Sequence, residues 1–213
     1  MDIFLQKALR FYFITDDQAP ALTPAAQVTI ALQAGATMVQ YRNKSFTLEA
    51  FEEAAAIRSL CRKRFIPLIV NDNILLAKAV AADGVHLGQE DASPAIARRI
   101  LGPEAIIGVS VHHPDELQTT DLSSCNYIGT GPVFGTATKA DAQEVRGLAN
   151  LAAVARMSPL PVVAIGGINP SNARSCFAHG AAGIAVISAI TKSPNPAASA
   201  REMGRVCGCL TSF

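Results

Sequence analysis

The sequence switches eight times between two kinds of apolar segment, and nothing else restricts its fold as tightly. Short runs rich in β-branched or aromatic residues, bounded by glycine or polar residues, read as buried strands. They are FYFIT (11–15), MVQYR (38–42), PLIVN (67–71), GVHLG (84–88), IIGVS (106–110), YIGTG (127–131), PVVAIGG (161–167) and GIAVIS (183–188). Between them lie alanine-rich stretches of helical character, such as TPAAQVTIALQAG, TLEAFEEAAAIRSLCRKR and SPAIARRI. Thr23, Thr47 and Ser93 are the expected N-caps, Pro24 and Pro94 take the first helical position, and Gly35 closes the first of these helices. Within 213 residues, eight units of about 25 residues each meet the lower size limit of a closed barrel. An open doubly wound sheet of the flavodoxin kind usually has fewer strands or a longer chain. The expectation is therefore an α/β chain forming one (β/α)8 TIM-barrel domain over residues 1–213, with its functional groups on the loops that follow the strands.

Charge narrows what such a barrel can hold by bulk attraction. Lys and Arg number 18 against 17 Asp and Glu, and half of the residues are hydrophobic. That balance argues against nucleic acid or a membrane surface as partner and turns attention to local charge. No apolar stretch approaches the roughly 18 residues that cross a bilayer. The N-terminus, MDIFLQKALR, carries charge where a secretion signal is apolar, and the five cysteines fit no secreted disulfide pattern. A reducing cytoplasm is the expected location. Cys207 and Cys209 read as idle thiols on a frayed last helix. The sequence leaves open whether the chain forms a homo-oligomer.

Polar residues collect after every strand. Thr15 and Asp16 follow the first, Gln40, Arg42 and Lys44 the second, Asn71 and Asp72 the third, and Gln89, Glu90 and Asp91 the fourth. Ser110 and His112 follow the fifth, Thr136, Thr138 and Lys139 the sixth, Gly166 and Gly167 the seventh, while Ser188 ends the eighth. In a barrel these loops share one mouth.

Within QYRNK, the period-two alternation of an extended chain puts Gln40, Arg42 and Lys44 on one side, and Lys139 adds a third cation. An arginine fork with lysine point charges suits the oxygens of a pyrophosphate. A solvated strand end whose cations pair with nearby acids has the same composition. Asp72 in VNDN and Asp91 in HLGQED leave consecutive strands, so their oxygens can meet at a hard cation such as Mg²⁺, unless both only cap turns. In YIGTGPVFGTATK, Gly129, Gly131 and Gly135 suit backbone amides closing on an anion, with Thr136, Thr138 and Lys139 adding hydroxyls and charge. Gly166, Gly167 and Ser188 sit where barrels commonly bind phosphate. Two anion pockets follow, one for a pyrophosphate near the second to fifth strands and one for a monophosphate near the seventh and eighth. His86 reads as packed within a strand, and His112 as a second group facing the mouth.

Seven ordered segments, QYRNK, IVND, HLGQED, GVSVH, YIGTGPVFGTATK, PVVAIGGI and GIAVISAI, resemble the thiamine phosphate synthase family and its relative, the thiazole tautomerase. The resemblance covers about Phe11 to Ile190. It implies a (β/α)8 barrel that joins hydroxymethylpyrimidine pyrophosphate to thiazole phosphate, with Mg²⁺ as cofactor and small phosphorylated molecules as partners. It further implies a pyrimidine pyrophosphate site at Gln40, Arg42, Lys44, Asn71, Ser110 and Lys139. The implied metal ligands are Asp72 and Asp91, and the implied thiazole phosphate site is Thr136, Thr138, Gly167, Ile187 and Ser188. Lys139, Arg42 and Ser110 would act in the chemical step. The sequence departs from the family pattern at Tyr41, Asn43, Leu75 and Thr130. Alternation turns Tyr41 away from Arg42, toward packing. A tautomerase-like isomerase is expected to lack the carboxylate pair, and a non-catalytic phosphate sensor would form no product. The polar segment from Gly135 to Gly147 is a candidate for closing over substrates.

Overall fold

Eight parallel strands close into a barrel in chain order. They are β1 (Phe11–Ile14), β2 (Met38–Tyr41), β3 (Leu68–Asn71), β4 (Gly84–Leu87), β5 (Ile106–Ser110), β6 (Tyr127–Thr130), β7 (Val162–Ile165) and β8 (Gly183–Val186). This is a computed structural model, and it describes residues 3–19, 21–44, 47–136 and 144–210. The β1–β8 pairing, with Tyr12 beside Ala185, closes the ring.

Helices cross from each strand to the next: α2 (Pro24–Gln33), α3 (Leu48–Arg62), α4 (Ile74–Ala79), α5 (Pro94–Leu101), α6 (Glu116–Thr119), α7 (Gly147–Met157) and α8 (Ala173–Ala178). After β8 come the short α9 (Ser188–Thr191) and then α10 (Pro196–Val206). The closed barrel expected from the alternation is what the chain forms.

Strand alternation divides the core in two. Phe11, Phe13, Val39, Leu68, Val70, Val85, Ile107 and Ile184 point outward and pack against helices. Tyr12, Ile14, Met38, Ile69, Tyr127, Val163 and Ala185 point inward. An additional helix that the strand-helix pattern did not call for, α1 (Ile3–Leu9), seals the lower end by placing Leu5, Ala8 and Leu9 against that inner set. Burying each of the two leucine side chains contributes about 1.5–3 kcal/mol. One end of the barrel is thereby closed with hydrocarbon, which leaves polar groups to the other.

The caps mostly follow the sequence. Thr23 and Thr47 accept from the amides of Ala26 and Ala50, each at 3.3 Å. Ser93 differs. Its hydroxyl makes no cap bond, since the Ile96 amide it would accept from donates to the Ser93 carbonyl at 3.0 Å. The C-terminal thiols are not on a frayed end either. Cys207 is buried, its thiol is pushed up to about 12 by that burial, and its carbonyl accepts from Arg10 Nε at 3.0 Å. Among the described residues, no helix is long and apolar enough to cross a membrane.

Candidate active site

The loop after β2 is held by the loop after β1. Thr15, fully buried, accepts from the Arg42 amide at 2.9 Å and donates to the Arg42 carbonyl at 3.2 Å. Asp17 then gathers both cationic residues of that loop: one oxygen lies 3.8 Å from Arg42 Nη1, and the other accepts from the Lys44 amide at 3.0 Å. The Arg42 side chain is only 11% exposed. The sequence reading placed Asp16 at the mouth and passed over Asp17. Asp16 is buried and ties the loop after β1 to α9, accepting from Thr191 Oγ1 at 3.2 Å, while Gln27 bonds its backbone on both sides. An acid beside Arg42 was one alternative for the basic cluster. Here it coexists with burial, and Arg42 is not part of a solvated strand end.

Across from this loop, Asp72 follows β3 in a left-handed conformation, φ 61°, which costs on the order of 1 kcal/mol at a non-glycine residue. Its amide donates to the His86 carbonyl at 2.8 Å, locking the turn to β4. Asp91 reaches back from the loop after β4 to accept from the Gly88 amide at 2.6 Å. The two carboxyl groups come within hydrogen-bonding reach of each other. Burial, followed by the hydrogen bond and charge of Asp91, pushes the Asp72 carboxyl up to about 6, against the opposing pull of Lys44 and Asn71. Two facing carboxylates resist being charged together, and either a shared proton or a shared cation relieves them. Among the described residues no group of three or more His, Cys, Asp and Glu could hold a metal ion. A hard ion held by Asp72 and Asp91 alone would need oxygens from water and ligand to complete its shell, as suits Mg²⁺. A cavity of about 190 Å³, lined by Lys44, Asn71 and Asp72 among others, opens between these loops. A larger one, about 980 Å³, lies at the sealed end between α1 and Cys209, away from these groups.

The β6–β8 side is built differently. Gly131 and Gly129, expected to let backbone amides close on an anion, are required here by packing. A Cβ on Gly131 would collide with the Ile165 carbonyl, and one on Gly129 would stand 3.1 Å from the His86 ring. Both glycines allow close packing. The β6 and β7 loops are zipped by Val133 N to Ile165 O at 2.9 Å and Phe134 N to Gly166 O at 3.0 Å. Gly167, at φ 62°, has no space for a Cβ beside Phe134 and Gly135. Ile187 is buried within the inner core and precedes Ser188, the first residue of α9. Among the described residues, the amides of Gly167 and Ser188 donate to no backbone carbonyl. Thr136 is half-buried at the end of the described part of its loop. Thr138 and Lys139 lie outside the described residues, as does most of the segment proposed to close over substrates. His112 braces the loops, its Nδ1 lying 2.8 Å from the Gly131 carbonyl.

The remaining expected residues, Gln40 and Ser110, stand inside the barrel and are linked through groups the sequence reading did not select. Gln40, 3% exposed, donates to the Tyr12 hydroxyl at 2.7 Å, and Ser110 Oγ lies 3.1 Å from His86 Nε2. His86 is thus not simply packed. Strand alternation could have found it, since its register puts it beside Asn71 and Gly108. Tyr41, as expected, packs outside the barrel, where its hydroxyl donates to Glu53 at 3.0 Å.

A closed parallel barrel with its cations, paired acids and glycine turns gathered at the carboxyl ends of the strands has the layout of the barrel enzymes. A sequence model of the family described as "Thiamine monophosphate synthase" matches residues 11–190, and the chain belongs to that family. It is 46% identical over 174 residues to the thiamine-phosphate synthase of Laribacter hongkongensis, covering 81% of this chain and 82% of that one. It is 48% identical over 182 residues to a thiamine biosynthesis bifunctional protein ThiM/ThiE of Symbiobacterium thermophilum; the match takes in 85% of this chain but 38% of that longer protein. The solved thiamine phosphate pyrophosphorylase from Pyrococcus furiosus superposes with a TM-score of 0.86 at 36% identity, over 96% of this chain and 98% of that one.

Proposed function

We propose that the mouth of this barrel joins a hydroxymethylpyrimidine diphosphate to a thiazole phosphate, giving thiamine phosphate and pyrophosphate. The observation that carries this reading is the meeting of Asp72 and Asp91 beside Lys44 and Asn71, next to the loop that holds Arg42. It also favours this reaction over a tautomerase-like one, which gives a carboxylate pair nothing to do.

The chemistry asks little proton transfer of the protein. The bond between the exocyclic methylene carbon and a diphosphate oxygen breaks, its electrons leave with the diphosphate, and the thiazole nitrogen lone pair forms the new carbon–nitrogen bond. That nitrogen carries no hydrogen, so no base is needed to free it. The demand is to receive a leaving group as its charge grows. Mg²⁺, held by Asp72 and Asp91, would supply Lewis-acid neutralisation of that charge. Arg42, desolvated and restrained by Asp17, offers a planar pair of donors whose attraction is undiluted by water. Lys44 adds a point charge, Asn71 orients Asp72, and Lys139 is assigned the corresponding role from the β6 loop. Thr136, Thr138, Gly167, Ile187 and Ser188 hold the phosphate of the acceptor, chiefly through backbone amides. Gln40 and Ser110 hold the pyrimidine, which aligns the two rings.

The test is to supply both substrates with Mg²⁺ and to follow thiamine phosphate as thiochrome fluorescence. Product that requires both substrates and the metal, and that Asp91→Ala abolishes, is the expected result. Full turnover by Asp91→Ala would remove the metal role, and no product from the unaltered protein would remove the reaction.

A further inference from the structure

In the loops after β1 and β2, a buried carboxylate and a buried guanidinium face each other without bonding. Asp17 Oδ1 lies 3.8 Å from Arg42 Nη1, and the two side chains are 13% and 11% exposed. A desolvated acid and arginine ordinarily close to about 2.7–2.9 Å, often through two parallel bonds. Here Oδ1 is buried and accepts no hydrogen bond, and among the described residues the Arg42 side chain donates none. Such a gap is costly, since a buried polar atom left unpaired has given up water and gained nothing for it.

What holds the pair apart is the way each partner is tied. Thr15 grips the Arg42 backbone on both sides, its hydroxyl accepting from the amide at 2.9 Å and donating to the carbonyl at 3.2 Å. Asp17 Oδ2 is engaged by the Lys44 amide at 3.0 Å. The residue before it is fixed as well, because Gln27 accepts from the Asp16 amide at 2.9 Å and donates to the Asp16 carbonyl at 2.8 Å. The Gln18 amide, donating to Asp16 Oδ1 at 3.1 Å, completes the frame. Asp17 is thus placed by its loop and not by Arg42. Coulomb attraction falls only as the inverse of distance, so at 3.8 Å Asp17 still offsets most of what a bonded carboxylate would. It does so while consuming none of the guanidinium donors.

We propose that Asp17 is a counter-charge to Arg42: it keeps the guanidinium buried and in place when no anion is bound, then competes with the diphosphate for it and weakens the hold on released pyrophosphate. Asp17 acts through Arg42 and is a positioning residue. Arg42, Lys44 and a divalent ion together would grip pyrophosphate tightly and let it go slowly. A fixed negative charge beside the strongest donor lowers that grip, yet leaves every donor free to meet the leaving group. This inference rests on the proposed reaction, because that reaction puts the diphosphate beside Arg42.

Asp17→Asn keeps the shape of the side chain and an oxygen for the Lys44 amide but removes the charge. Inorganic pyrophosphate, with Mg²⁺ present, is titrated calorimetrically into this variant and into the unaltered protein, each shown folded by its melting curve. The variant should bind pyrophosphate about 10-fold more tightly, with the affinity for thiazole phosphate unmoved. Without ligand it should melt at a lower temperature, since Arg42 is then a buried charge with no partner. The sign is decisive, because damage to a loop that merely positions Arg42 weakens anion binding and does not tighten it. Unchanged or weaker pyrophosphate binding overturns the proposal. Should Asp17→Asn not fold, Asp17→Ala takes its place with the same expectation, and failure of both to fold would make Asp17 structural and overturn it equally. Tighter binding by the variant with no thiamine phosphate formed by the unaltered protein would count against the reaction alone, whereas no binding to either protein would overturn the counter-charge.

Discussion

The two halves of the barrel mouth are built by different means. From β2 to β5 the groups are side chains: Arg42 and Lys44 around Asp17, and Asp72 against Asp91 beside Asn71. From β6 to β8 they are mostly backbone, with Gly167 at φ 62° and the amides leading into α9. The first half can neutralise charge that develops during a reaction, because its own charges are full and partly desolvated. The second offers dipoles fixed by tightly packed loops, which suits a phosphate whose charge does not change. On the proposed reading, the division matches the chemistry: the diphosphate leaves, while the monophosphate stays attached to the product.

Arg42→Ala should separate the halves most sharply. It keeps the backbone bonds to Thr15 but removes the desolvated guanidinium, and kcat/KM should fall about 10²–10³-fold, the range for losing one preorganised donor of this kind. KM for thiazole phosphate should change little, and an equal rise for both substrates would merge what is drawn here as two sites. Gly167→Ala attacks the other half. It forces a Cβ into a left-handed residue already against Phe134 and Gly135. KM for thiazole phosphate should rise roughly 10-fold and stability fall by about 1–3 kcal/mol in denaturant titration, with KM for the pyrimidine diphosphate held. Gly108→Ala strikes the core that the halves share, displacing the Tyr127 ring. A loss of about 1–3 kcal/mol is expected, and both substrates should suffer. Thr23→Ala removes the N-cap of α2 without touching a group assigned to either anion and should cost about 1 kcal/mol without changing either KM, which separates stability from binding in the other three variants.

The same contrast decides what could be read from the sequence. The strands and their order were legible because buried parallel strands are nearly continuous apolar runs, and the helices because threonine and proline mark their starts. The side-chain half was legible for a related reason: in QYRNK, VNDN and HLGQED the acting group is the residue itself. Backbone sites leave fainter marks. A glycine reports only that a side chain is excluded, and at Gly129 and Gly131 the groups that exclude it are the His86 ring and the Ile165 carbonyl, which the sequence does not reveal. Asp16 and Asp17 were beyond sequence, since which of two adjacent acids turns to Arg42 depends on how Gln27 and Thr191 secure the first. Contacts inside the barrel, such as that between the Tyr12 and Tyr127 hydroxyls at 2.9 Å, were hidden because they join residues up to 115 positions apart. Only closure brings them together, although alternation within each strand had already turned them inward.

The central claim is that one mouth holds two anion sites of different construction, and the most direct measurement is a crossed pair of calorimetric titrations. Pyrophosphate with Mg²⁺ and thiazole phosphate are each titrated into the Arg42→Ala and Gly167→Ala proteins. The account predicts that Arg42→Ala loses pyrophosphate and keeps thiazole phosphate, and that Gly167→Ala does the reverse. Parallel losses of both ligands in both variants would contradict it.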